Sequence, residues 1–249
     1  KTVEGQQAIK DSMPVEKYMQ EYELKWNTFA GKRVYDDYDS TEHEDDTLKP
    51  DYGLPLILGF DFGLTPACLV AQLQGQRLVV LKEYVEFNMG IKRFMQTVVV
   101  PGLRNDFPRW PDFKRDYICV IDPAGFRRVE TDESTCAQEI SLKGFRPEPG
   151  PVTWEQRKQG VEGFLIGYTK SGSNFALHPK HCPTLKKGFE GGYQYPKKVI
   201  DIQPDQARPL KNMFSHVHDA LQYIAFRAST LNHKKRANPP KPSYAWSKP

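Results

Sequence analysis

From Pro55 the chain enters three apolar runs, Leu56 to Phe62, Ala67 to Leu73 and Leu78 to Phe87, separated by turn-forming residues around Gly63 to Pro66 and at Gly75-Gln76. Runs of this length between turn formers predict strands, and connectors this short join neighbours antiparallel, so a three-stranded meander is expected. Gly90 to Val100 then sets Ile91, Phe94, Met95 and Val98 at helical spacing, with Pro101 as the expected stop. A further apolar run, Tyr117 to Ile121, ends in Asp122-Pro123-Ala124-Gly125, which is the pattern of a buried strand running into a turn. Thr131 to Lys143 predicts a helix with Asp132 and Glu133 near its start and Gly144 as its C-terminal cap. Phe145 to Val152 carries prolines that confine it to a sheet edge. Two helices follow. Trp154 to Tyr168 aligns Val161, Phe164, Leu165 and Tyr168, and a last helix from Pro209 to about Ser229 buries Phe214, Val217, Leu221, Ile224 and Ala225.

The flanks read differently. Residues 1 to 30 place Val15, Tyr18, Met19 and Tyr22 at spacing that fits one helix face, and the acidic stretch from Asp36 to Asp51 reads as a solvated connector rather than a calcium loop. From Asn232 the chain continues through Lys234, Lys235 and Arg236 into a proline-rich end, the composition of a basic flexible tail. The expected organisation is therefore an N-terminal extension over 1–54, a folded domain over 55–231 and a tail over 232–249.

Bulk composition narrows the classes without choosing one. A chain of 249 residues, 39% hydrophobic and 27% charged, suits one large soluble domain. Its apolar runs are too short to cross a bilayer. A net charge of +4 is compatible with a polyanionic partner but does not require one. The first residues hold neither Met nor an apolar leader core, so a piece of a longer chain is expected. Cys68, Cys119, Cys136 and Cys182 are scattered without a CxxC pair, as expected of reduced thiols. His178, His181 and Cys182 lack a suitably spaced fourth ligand and read as a surface turn, not a zinc site.

Three carboxylates carry the candidate chemistry. Asp61 lies in Gly59-Phe60-Asp61-Phe62-Gly63, at the end of a strand where a charge is costly unless compensated. Asp122 closes a second buried run, and strand tips are where sites gather. Asp219 lies on the last helix three residues after His216, so the two share a face. If that helix packs beside both strands, the carboxylates converge and raise one another's pKa until a divalent ion binds. Such a cluster suits phosphodiester hydrolysis with two Mg²⁺ or Mn²⁺ ions, which prefer hard oxygen ligands. Glu83, in the third strand, is expected to face solvent.

The order of these elements resembles the RNase H-like nucleases, whose fold is α/β with a mixed central sheet: an antiparallel three-strand meander followed by parallel strands, flanked by helices. More narrowly, Gly59 to Gly63 with Thr65-Pro66-Ala67, then Val120 to Gly125, then His218-Asp219-Ala220-Leu221-Gln222-Tyr223 is similar to viral large terminases. The resemblance implies a metal-binding acidic triad of Asp61, Asp122 and Asp219, with His216 as an auxiliary ligand. It also implies an endonuclease that cuts double-stranded DNA while viral genomes are packaged in the host cell cytoplasm, alongside a portal, a small terminase subunit and an ATPase domain on the same full-length chain. Glu21-Tyr22 to Val34-Tyr35 looks like the stretch following that ATPase domain, and no GxxxxGK[ST] phosphate loop occurs here.

Basic pairs at Lys32-Arg33, Arg127-Arg128, Arg157-Lys158, Lys186-Lys187 and Lys197-Lys198 offer phosphate contacts, with Arg127-Arg128 favoured because they follow Asp122. Other readings remain: a junction resolvase of the same superfamily, a non-catalytic portal-docking module, or a sugar kinase or actin-like ATPase, which would need a second such domain.

Overall fold

The computed structural model describes residues 31–63, 65–128, 134–170, 172–196 and 207–237. The expected helix over 1–30, the acidic start at Asp132-Glu133, the pair Lys197-Lys198 and the last twelve positions lie outside these.

A six-stranded sheet forms the centre. Strands β1 (Leu56–Asp61), β2 (Ala67–Gln74) and β3 (Arg77–Val85) make the antiparallel meander. β4 (Tyr117–Ile121) then pairs parallel to β1, and β5 (Pro147–Pro149) pairs parallel to β4 at the edge its prolines permit. A small hairpin of β6 (Tyr168–Thr169) and β7 (Gly172–Ser173) stands apart, and β8 (Phe175–Leu177) adds parallel to β3. The order is β5-β4-β1-β2-β3-β8, the mixed RNase H-like sheet.

Both faces of β1 are buried, and alternation assigns its side chains. Leu56, Leu58 and Phe60 enter a core with Phe94, Met95, Val99 and Leu103. Ile57 enters the opposite core with Phe164, Val217, Leu221 and Ile224. Gly59 and Asp61 share the Ile57 face by the same alternation.

Helices cover both faces. After the single turn α1 (Ser40–His43), α2 (Ile91–Phe94) leads through a π-helical segment, Met95–Val99, into α3 (Val100–Asp106). The helix therefore passes through Pro101 instead of stopping there. The wide turn explains it: Val100 N–H reaches back five residues to the Met95 carbonyl, and Pro101 falls in the first turn of the next segment, where its missing N–H costs little. α4 (Cys136–Ser141) starts later than expected because Thr135 and Gln138 form a capping box, and Gly144 at φ 96° does end it as predicted. α5 (Trp154–Leu165) and the short α6 (Pro183–Lys187) follow. The last helix, α7 (Met213–Ala237), begins after Asn212 rather than at Pro209, since the Asn212 side chain accepts from the amides of Phe214 and Ser215. It runs to Ala237, so Lys234, Lys235 and Arg236 are helical where a tail was expected.

Two further expectations change. The stretch Asp36 to Asp51, read as a solvated connector, contributes Tyr38 to the core, beside Val34 and Tyr35 just before it, with Tyr38 donating to Glu44 at 2.8 Å. Glu83 does not face solvent. Its two oxygens accept from Thr184 N–H (2.7 Å) and Leu185 N–H (2.9 Å), satisfying amides that the start of α6 leaves unpaired. Cys68, Cys119 and Cys182 are buried free thiols. No helix among the described residues is long and apolar enough to cross a membrane.

Candidate metal centre

The site is created by how closely α7 crosses β1. A Cβ placed on Gly59 would stand 2.2 Å from the Ala220 carbonyl oxygen, so only glycine admits the helix backbone there. One helical turn before Ala220 and two strand residues beyond Gly59, His216 Nδ1 meets Asp61 Oδ2 at 2.7 Å. The helix thus runs antiparallel to β1 and carries His216 and Asp219 to its carboxyl end. Asp122 reaches the same end from the neighbouring strand, its amide continuing the ladder to the Phe60 carbonyl at 3.2 Å.

Asp61 is 6% exposed, and burial pushes its carboxyl up to about 6. The His216 hydrogen bond opposes that rise, and the charge of Asp219 adds to it. Asp219 is 1% exposed. Lys211 Nζ lies 2.5 Å from its Oδ2, and Arg157 NH1 stands 3.7 Å from its Oδ1, which has no hydrogen-bond partner. Arg157 is itself held from α5, donating to the Tyr223 hydroxyl at 3.0 Å. The Tyr223 hydroxyl lies among these charges: it is pushed up first by burial and then by the negative charge of Asp122, with Arg157 opposing and Asp61 and Asp219 adding to the rise.

The three aspartates are therefore neighbours at one end of the sheet, but they do not form a single closed cage. Among the described residues, no three His, Cys, Asp or Glu side chains are grouped tightly enough to hold one ion. Asp122 explains part of this. Its Oδ1 accepts from Ala124 N–H at 2.9 Å, capping the turn Pro123–Phe126, which packs under Phe62 at Gly125. Arg127 and Arg128 follow that turn and are exposed.

Other singled-out residues lie elsewhere. His218 is buried against Tyr193 (ring centroids 4.5 Å) and Tyr35, and burial lowers its pKa to about 3, which keeps it neutral. His178 and His181 stack at 3.7 Å beside buried Cys182, away from the carboxylates. Lys32 and Arg33 pair with Asp36, Lys158 with Glu162 and Lys186 with Glu44. Lys211 was not singled out by sequence, and its only signal was proximity to the start of the helix bearing His216 and Asp219.

The donor set fits a hard cation. Two buried carboxylates stand close enough to repel, and one has an unpartnered buried oxygen, an arrangement that a divalent ion would relieve.

Neither a protein-family model nor a curated protein sequence matches the chain. Solved structures do. The large terminase of a thermophilic bacteriophage superposes with TM-score 0.57 at 16% identity, over 90% of this chain and 52% of its own, so the chain spans about half of that protein's length. The P22 large terminase nuclease domain superposes with TM-score 0.53 at 11% identity, over 79% of this chain and 92% of its own. The chain therefore has the RNase H-like fold found in phage large-terminase nuclease domains.

Proposed function

We propose that this chain is the nuclease part of a viral large terminase: an endonuclease that uses Mg²⁺ or Mn²⁺ to hydrolyse double-stranded DNA during genome packaging. The observation that carries the reading is the pair of buried carboxylates, Asp61 and Asp219, brought to one end of the sheet by the crossing at Gly59, with Asp219 Oδ1 unpartnered. Burying such a pair without ligand is unfavourable, and function is the usual reason for keeping it.

In this reading Asp61 and Asp219 hold the metal, with Asp122 contributing through Oδ2 while its Oδ1 caps the turn. Two bound ions would supply an activated water and stabilise the departing oxygen. The chain's own residues do the rest. His216 fixes the Asp61 carboxylate through Nδ1, leaving Nε2 as the ring atom for any ligand role. Arg157, anchored by Tyr223, offers positive charge beside the site, and exposed Arg127 and Arg128 offer backbone phosphate contacts that carry no sequence information. The folded unit would follow an ATPase domain in the full-length protein and work with a portal and a small subunit.

Incubating supercoiled plasmid with the protein and Mn²⁺ tests this. Nicking and linearisation are expected, with loss on adding EDTA. Intact plasmid over a range of Mn²⁺ and protein concentrations would contradict the proposal.

A further inference from the structure

Asp219 has two cationic neighbours that differ in kind. Arg157 is fixed: its side chain is 17% exposed, it donates to Tyr223, and its guanidinium lies over the rings of Trp154 (5.7 Å) and Tyr223 (5.6 Å). It also stays 3.7 Å from Oδ1, outside hydrogen-bond distance. Lys211 is the opposite. Its side chain is 70% exposed, it comes from the segment just before α7, and it touches the buried carboxylate only at its tip, 2.5 Å from Oδ2.

We propose that Lys211 is a tethered competitor of the divalent cation, an ammonium that occupies Asp219 Oδ2 and lowers the metal affinity of the centre. The inference rests on the reading that Asp61 and Asp219 bind metal. An oxygen hydrogen-bonded to an ammonium at 2.5 Å leaves no room for a directly coordinated ion on the same lone pairs, so coordination through Oδ2, and with it a bidentate or bridging carboxylate, requires Lys211 to leave. Leaving is inexpensive for the lysine, because its exposed stem lets water replace the carboxylate. It is costly for Asp219, which is 1% exposed and would lose a charge-assisted bond unless an ion took its place. The lysine thus neutralises the site when metal is scarce and gives way when it is not. Arg157 holds no hydrogen bond to Oδ1 that an ion would have to break. Once released, the ammonium stands at the mouth of the centre, where a nucleic-acid phosphate would offer it a new partner.

The test is Mn²⁺ binding measured by calorimetry and by the loss of the free-ion electron paramagnetic resonance signal, neither of which depends on cleavage. Lys211→Gln is expected to bind Mn²⁺ roughly three- to tenfold more tightly than the parent. Lys211→Arg, which restores a cation, is expected to return towards the parent value. Lys180→Gln removes the same charge from an exposed pair with Asp46 and is expected to leave affinity unchanged. In EDTA, Lys211→Gln should melt slightly below the parent, and in Mn²⁺ the order should reverse. Equal or weaker Mn²⁺ binding by Lys211→Gln, with the parent binding through Asp219, would overturn this inference and leave the metal centre standing. Absence of binding in both proteins would overturn the metal centre and this inference together.

Discussion

Asp61 and Glu83 make an instructive pair, because both are carboxylates on strands of one sheet and burial raises the pKa of both. Glu83 is answered by two backbone amides at the start of α6, Thr184 and Leu185. Those donors are part of the fold and cannot leave. Asp61 is answered by a side chain, His216, and faces a second buried carboxylate, Asp219, which in turn leans on a lysine that is mostly in water. Burial alone therefore does not mark a site. The distinguishing feature is whether the partner of a buried charge can be exchanged for a ligand without unfolding anything.

The largest effect that separates the two is on cleavage. Asp61→Asn and Asp219→Asn are expected to lower Mn²⁺-dependent plasmid nicking by about a thousandfold or more, equivalent to about 4 kcal/mol of barrier, while Glu83→Gln cuts like the parent wherever it is folded. Equal losses in all three, measured per folded molecule, would erase the distinction. On stability the order reverses. Glu83→Ala is expected to cost about 2–3 kcal/mol in urea unfolding, because two helix-start amides lose their acceptor, whereas Asp61→Asn in EDTA should be neutral or stabilising. A large loss of stability in Asp61→Asn would make Asp61 structural.

The effect spread over the widest range of conditions is pH dependence. The carboxyl of Asp61 sits at about 6 in the folded protein, above its unfolded value. A raised pKa means that the folded state binds the proton more tightly, so the associated stability is fully present below the unfolded pKa near 4 and is lost as pH rises through about 6. In EDTA this should amount to at most about 3 kcal/mol. Asp61→Asn should remove it, and Mn²⁺ affinity should weaken as pH falls through the same range. A flat profile in the parent would show that Asp61 is not the buried acid described here.

Much of this was legible in the chain because the strong signals were local. The meander followed from three apolar runs with short connectors, and the stripe from Phe214 to Ala225 placed α7 on the sheet. Asp61 and Asp122 stood out as polar residues ending apolar strands, and Asp219 as a carboxylate within an apolar helix stripe. What was missed needed three dimensions. Pro101 reads as a stop until a π-helical turn absorbs it, and β8 is too short at three residues to register as a strand. Tyr35 and Tyr38 are single aromatics among aspartates, so their burial depends on surfaces far along the chain, including Phe189 and Tyr193. Glu83 looked solvent-facing because nothing near it in sequence announces the amides of Thr184 and Leu185. Lys211 was invisible for a related reason: only the fold shows that it turns back onto Asp219.

The central claim is that Asp61 and Asp219 share a divalent ion. Anomalous scattering from a crystal soaked in Mn²⁺ tests it most directly. The account predicts a manganese peak within about 2.5 Å of carboxylate oxygens of both residues, with the Lys211 ammonium displaced from Asp219. A crystal saturated with Mn²⁺ that shows no peak between these two aspartates, and Lys211 still in place, would contradict it.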